Sequence, residues 1–240
     1  MKRKPQDYIV FPLDVPNSKE AMRFVNLLRD HVGLFKVGLE LFISEGPAII
    51  RDIHETAGRK VFLDLKLHDI PATMKRALLA AGRHGPRFIT VHCDQGEGIL
   101  RNAVQDSHED TRILAVSLLT SLGPMDLERL GFCEAYVRNP TALVLEKARI
   151  AREAGCHGLI CSGRETAGVK QELGTDFIVM TPGIRPEWTL VEGDDQKRVV
   201  TPGDAVAAGA DYLVVGRPIR DAKEPAGAAL RLAEEISKAL

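Results

Sequence analysis

No charge of either sign is in surplus: 32 Lys and Arg stand against 33 Asp and Glu, a net charge of -1. A protein that holds nucleic acid draws much of its affinity from excess basic charge, so this balance argues against such partners. Cysteine is scarce. The four thiols, Cys93, Cys133, Cys156 and Cys161, form no CxxC pair, too few in 240 residues for a disulfide scaffold, and read as reduced, buried side chains. Long apolar runs are missing as well. The longest charge-free stretch, Ile113 to Met125, has 13 residues broken by Ser, Thr, Gly and Pro, short of the about 20 that span a bilayer. The start, MKRKPQDYIVF, is basic but carries no apolar stretch of signal-peptide length and no small-residue cleavage site. A cytoplasmic protein without membrane contact is expected.

What is present is an ordinary globular balance, 45% hydrophobic and 27% charged. No linker rich in Gly, Pro or Ser divides the chain, and α/β barrels commonly reach roughly 200 to 250 residues as one domain, so a single domain over 1–240 is expected. Short β-rich runs alternate with longer segments whose apolar residues recur at three- and four-residue spacing. The runs are 8–15, 34–38, 60–67, 87–93, 112–118, 157–161, 176–181 and 211–216. Helical periodicity fills 18–31, 41–57, 70–84, 96–107, 141–154, 164–173, 202–208 and 225–240, with 123–130 as an added helix after the fifth run. Eight such units match a (β/α)8 TIM barrel better than an open doubly wound sheet, which has roughly five or six strands.

In that architecture chemistry gathers at the C-terminal ends of the strands. Asp14, Lys36, Asp64, Lys66, Asp69, His92, Asp94 and Arg217 all fall there. The strongest local signal is VFLDLKLHDIPAT at 61–73. On a strand Asp64 and Lys66 share one face, while Leu63, Leu65 and Leu67 turn to the surrounding helices. Burying opposite charges is costly unless they are paired, and a barrel plugged with Leu and Val would be more stable, so a paired Asp and Lys at the mouth points to function. Lys36 and Asp69 are available to extend the pair into an alternating network.

The far end of the site is legible too. Gly216-Arg217, directly after the eighth run, suits a phosphate: glycine admits a close backbone N–H and the guanidinium offers paired donors. The long polar segment TPGIRPEWTLVEGDDQKR has the character of a loop that closes over a ligand. His68 reads as a local hydrogen-bonding group, and His92 with Asp94 lacks the second cluster that a metal site requires. Trp188 reads as packing for the loop.

Together LDV at 13–15, FKVG at 35–38, DLKLHDIPAT at 64–73, LLTS at 118–121, TPGIRP at 181–186, GDDQKR at 193–198 and VVGRPI at 214–219 make the chain resemble the orotidine 5'-phosphate decarboxylase family, almost end to end. The resemblance implies decarboxylation of orotidine 5'-monophosphate to UMP in pyrimidine synthesis, with neither metal nor organic cofactor. It implies Lys66 as proton donor, Asp64 beside the substrate carboxylate, and Asp14 and Lys36 on the ribose. It further implies Thr120 or its neighbour Ser121 on the pyrimidine edge, Gln196 on both phosphate and pyrimidine, and Arg185, Gly216 and Arg217 at the phosphate. Asp69 and Thr73 would enter the neighbouring subunit's site, making the active unit a homodimer. Ala72 stands where the family pattern has Asn, a change that bears on the subunit contact. The PEWTLVEGDD insertion is longer than the usual bacterial form and leaves the register of Gln196 open. The DxKxxD pattern alone also fits keto-sugar phosphate decarboxylases and hexulose-phosphate synthases, which use Mg2+, and a catalytically silent phosphometabolite-binding barrel remains a third reading.

Overall fold

In a computed structural model that describes residues 3–189 and 200–240, parallel strands close into a barrel in the order β1 to β8. They are β1 (Ile9–Pro12), β2 (Leu34–Val37), β3 (Val61–Leu67), β4 (Phe88–His92), β5 (Arg112–Val116), β6 (Gly158–Ile160), β7 (Ile178–Thr181) and β8 (Tyr212–Val214). Closure comes from Ile9 and Val10 of β1 lying opposite Leu213 and Val214 of β8. Each expected run contains its strand, trimmed at the ends where the chain turns into loops.

The helices are α1 (Ser18–Leu28), α2 (Leu39–Glu45), α3 (Ala48–Ala57), α4 (Pro71–Gly82), α5 (Glu97–Gln105), α6 (Pro124–Arg129), α7 (Glu134–Arg138), α8 (Pro140–Glu153), α9 (Gly163–Leu173), α10 (Pro202–Ala207), α11 (Arg217–Arg220) and α12 (Pro225–Ser237). Asn17 caps α1 by accepting a 3.0 Å hydrogen bond from the Glu20 amide. The helix expected over 41–57 is two. Gly46 takes a positive φ of 64° at the end of α2 and Pro47 then starts a new helix, a Gly-Pro break that apolar periodicity alone passes over. The elaboration after β5 likewise holds a second short helix, α7, beyond the one expected.

Two apolar layers follow from the strand alternation. Outward residues such as Phe11, Phe35, Leu63, Ile89 and Val179 pack against the helices. Inward residues Val10, Leu34, Phe62, Phe88, Leu114, Met180 and Tyr212 fill the barrel. Phe62 and Phe88 meet edge-on at 6.4 Å between centroids, and Phe88 and Tyr212 at 5.3 Å. This aromatic plug denies water a route through the barrel and forms the floor on which the charged residues of the mouth stand.

Of the cysteines, Cys93, Cys156 and Cys161 are buried as expected, whereas Cys133 is exposed ahead of α7. Burial raises all three buried thiols, Cys156 to about 12, so they behave as small apolar side chains. Among the described residues no helix is long and apolar enough to cross a membrane.

Candidate active site

Strand β3 does not run evenly to its end. Leu63 lies opposite Ile89 of β4, but the next register pair is Leu67 with Val91, so Asp64, Leu65 and Lys66 all face the single residue Thr90. Lys66 absorbs the surplus with φ of 50°, a left-handed backbone that costs a non-glycine residue about 1–2 kcal/mol. Strain of this kind persists where surrounding bonds hold it, and here they are visible. The buried Thr90 hydroxyl accepts from the Lys66 amide at 2.9 Å and donates to Asp64 Oδ1 at 2.9 Å. The even alternation expected of the strand is thus corrected, although its consequence, Asp64 beside Lys66, is what forms.

Lys66 Nζ donates to Asp64 Oδ2 at 2.7 Å. Lys36 Nζ, on β2, stands 3.8 Å from the same oxygen and 2.9 Å from Asp14 Oδ1 after β1. The row therefore alternates in charge, Asp14, Lys36, Asp64, Lys66, and each carboxylate has a cation beside it. Gly38 makes room for the row, because a Cβ there would come within 2.9 Å of Lys36 Nζ. Asp69 lies apart: it is exposed, its Oδ1 accepts from the Ile70 amide at 2.7 Å, and it makes no ion pair with Lys66 of its own chain.

Two adjoining hollows share Lys36, Pro182 and Val214. The deeper one is lined by Asp64, Lys66, Val116, Leu118, Thr120, Ile160 and Cys161 above Phe62. It is apolar on the side facing the charge row, and it takes in Thr120 but not Ser121. The outer hollow is lined by Asp14, Arg185, Gly216, Arg217 and Arg220, so three guanidinium-bearing residues meet at the rim, Arg185 from the segment after β7 and Arg217 and Arg220 from α11 after β8. Arg185 is buried, with Nη1 on the Ile184 carbonyl at 3.1 Å. A Cβ at Gly216 would fall 2.9 Å from Pro12, so only glycine lets β8 turn this close to β1. Thr73 lies on the first turn of α4, beyond Asp69 and outside both hollows. Gln196 is outside the described residues.

His68 and His92 stack at 5.7 Å between ring centroids, and the Trp188 ring carries Arg231 at 4.6 Å. His92 Nδ1 pairs with Asp94 Oδ2 at 3.1 Å, while Asp94 Oδ1 meets Lys147 Nζ at 2.6 Å. Lys147 is almost fully buried and also donates to the Ser117 carbonyl at 2.7 Å, tying β4 to the β5 end that leads into Thr120. Hydrogen bonding from His92, helped by Lys147, holds the Asp94 carboxyl down at about 2 despite its partial burial. A depressed carboxyl stabilises the fold above its ordinary value of 3.8, and that contribution is lost as pH falls toward 2. Lys147 is buried but Asp94 keeps water contact, so the main loss in Lys147→Met is the donor to the buried Ser117 carbonyl, and unfolding free energy is expected to fall by about 2 kcal/mol in a urea titration. A loss below about 1 kcal/mol would show that the pair is as weak as an exposed one.

Thr90 and Lys147 escaped the sequence reading, yet each left a trace. Thr90 is a hydroxyl at an inward position of ITVH, and Lys147 interrupts the apolar stripe of Leu143, Val144, Ala148 and Ala151 on α8.

Residues 7–232 match the family described as Orotidine 5'-phosphate decarboxylase / HUMPS family. An orotidine 5'-phosphate decarboxylase of Desulfosudis oleivorans is 46% identical over 239 residues, covering 99% of this chain and 96% of the relative. One of Anaeromyxobacter dehalogenans is 44% identical, covering 96% of this chain and 98% of its own. The crystal structure of orotidine 5'-phosphate decarboxylase from Lactobacillus acidophilus superposes with a TM-score of 0.81 at 31% identity, over 95% of this chain and 98% of that one.

Proposed function

The chain belongs to the orotidine 5'-phosphate decarboxylase / HUMPS family, and we propose that it converts orotidine 5'-monophosphate to UMP and CO2 in pyrimidine nucleotide synthesis, as a cytoplasmic enzyme that needs no cofactor. The observation that carries this reading is the 2.7 Å contact of Lys66 Nζ with Asp64 at the closed end of an apolar hollow. When the C6 carboxylate leaves, the electron pair of the broken bond stays on C6, where no conjugated group can take it. A fixed ammonium opposes that charge in a poorly solvated site, and one of its protons passes to C6 to complete UMP; Lys66 then regains a proton from solvent. Asp64 holds Lys66 in place and, in this reading, stands beside the substrate carboxylate.

Asp14 and Lys36 bind the ribose hydroxyls in this reading, and Thr120 the pyrimidine edge. Arg185, the Gly216 amide, Arg217 and Gln196 hold the phosphate. Asp69 and Thr73 act in the site of a second subunit. Support for that homodimer comes from apolar side chains left exposed around the same rim: Leu39 and Ile43 after β2, Ile70 after β3, and Met125 and Leu130 after β5.

The phosphate assignment predicts a specific loss. Arg217→Ala should reduce kcat/KM by roughly tenfold to more than a hundredfold, the equivalent of about 1.5 to 3 kcal/mol for a charge-assisted contact. An analogue without the phosphate should react poorly with both proteins, and equally so. An equal loss on both substrates would instead place Arg217 in the support of the barrel rim.

The test of the activity itself is a comparison of substrates. Purified protein is offered orotidine 5'-monophosphate or a keto-hexulose 6-phosphate, each with chelator and with Mg2+. Turnover of the nucleotide in chelator supports the proposal. Turnover of the sugar phosphate alone, restored by Mg2+, would move the chain to the metal-dependent branch of the family.

A further inference from the structure

The geometry points to Gln95 as the residue that positions Asp69, and therefore as a residue of one subunit that governs chemistry in the other. This rests on the reading that Asp69 works in the neighbouring site. Gln95 ends the short turn Cys93–Gln95 directly after β4 and is half-buried. Its Nε2 donates to the Leu67 carbonyl at 3.0 Å and to the His92 carbonyl at 2.9 Å, and its Oε1 accepts from the Asp69 amide at 3.4 Å. One side chain thus grips the segment at both Leu67 and Asp69 and ties it to the end of β4.

The chemistry of the amide is what makes the clamp. Two donors and one acceptor are needed within one short side chain; a carboxylate cannot donate, and an ammonium cannot accept. Only one orientation of the amide satisfies all three partners. The turn that carries Gln95 is itself anchored from behind, since its neighbour Asp94 is held by His92 and Lys147. The segment it grips needs such support, because it leaves the strand through the left-handed backbone of Lys66 and reaches exposed residues at His68, Asp69 and Ile70. Asp69 then has its Oδ1 engaged by the amide of Ile70, the residue that precedes α4, which leaves its position dependent on where this backbone is held. A displacement of about 1 Å at a group that contacts substrate can cost a hundredfold in rate.

Gln95→Leu keeps the bulk and removes all three hydrogen bonds, so kcat of the homodimer should fall by about tenfold or more while Gln95 touches no substrate. Gln95→Glu, which keeps the acceptor and loses both donors, serves as a second variant if the first fails to fold. The decisive experiment mixes the Gln95 variant with Lys66→Ala. In the hybrid dimer one site takes Lys66 from the Gln95 variant and Asp69 from the Lys66→Ala subunit, whose Gln95 is intact. That site should turn over at the wild-type rate, within about twofold. A hybrid site that keeps the defect of the homodimer, or a Gln95 homodimer with wild-type kcat, overturns the assignment. Hybrids of Lys66→Ala with Asp69→Ala, run in parallel, separate the two levels. If they regain activity and the Gln95 hybrids do not, only the role of Gln95 falls. If they regain none despite proven subunit exchange, the shared site falls and the role of Gln95 with it.

Discussion

Lys66→Ala is expected to remove decarboxylation while leaving the barrel folded. Loss of a positioned general acid costs about 10² to 10⁴ in rate, and loss of a preorganised charge at a developing anion costs about 10² to 10³ more. Both roles fall on one ammonium here, because among the described residues no second cation stands closer to Asp64 than Lys36, at 3.8 Å. The combined loss should therefore exceed about 10⁴ in kcat. Stability should change little. The Lys66 side chain is about one third exposed, and Asp64 keeps its bond from Thr90 when the ammonium is gone. Steady-state kinetics together with a thermal melt check the two halves of the expectation. A folded variant with near-normal kcat contradicts Lys66 as proton donor, and one that fails to fold assigns the lysine to the architecture.

The second large effect is a gain. Lys66→Ala and Asp69→Ala homodimers should each be nearly inactive, yet their mixture should recover activity. In a hybrid, one site unites Lys66 of one subunit with Asp69 of the other, and its twin lacks both. Random exchange makes half of the dimers hybrid, so the mixture should approach about one quarter of the wild-type activity per subunit. The expectation has a structural motive beyond the family pattern, because Asp69 sits on an exposed rim and makes no ion pair with Lys66 of its own chain. Persistent inactivity despite exchange, followed by native mass spectrometry of tagged subunits, would place Asp69 in the site of its own chain.

The barrel could be read from the sequence because β and α periodicities alternate without interruption, and the charge row because its members stand at the C-terminal ends of successive runs. Local breaks were harder. The division of the 41–57 helix turned on a Gly-Pro pair that apolar spacing ignores, although the pair is itself a known stop signal. The surplus residues in β3 have no sequence mark at all: Asp64, Leu65 and Lys66 look like ordinary alternation, and only pairing with β4 reveals that Thr90 faces all three. Gln95 and Lys147 stayed hidden for a different reason. Both act on backbone carbonyls brought near by tertiary folding, so although Lys147 stands out in the apolar stripe of α8, spacing does not foresee either residue's partners. Asp69 drew its suggested role from the family pattern, since nothing in the spacing of one chain tells which subunit a side chain serves.

The central claim is that this chain breaks the C6 carboxylate bond and returns a proton to the same carbon without a metal. The most direct measurement is to incubate purified protein with orotidine 5'-monophosphate in D2O with chelator, counting CO2 and UMP and locating deuterium in the product. One CO2 is expected for each UMP, undiminished by chelator, with a single deuterium at C6 delivered from the exchangeable ammonium of Lys66. No UMP, or UMP formed only after Mg2+ is restored, would contradict it.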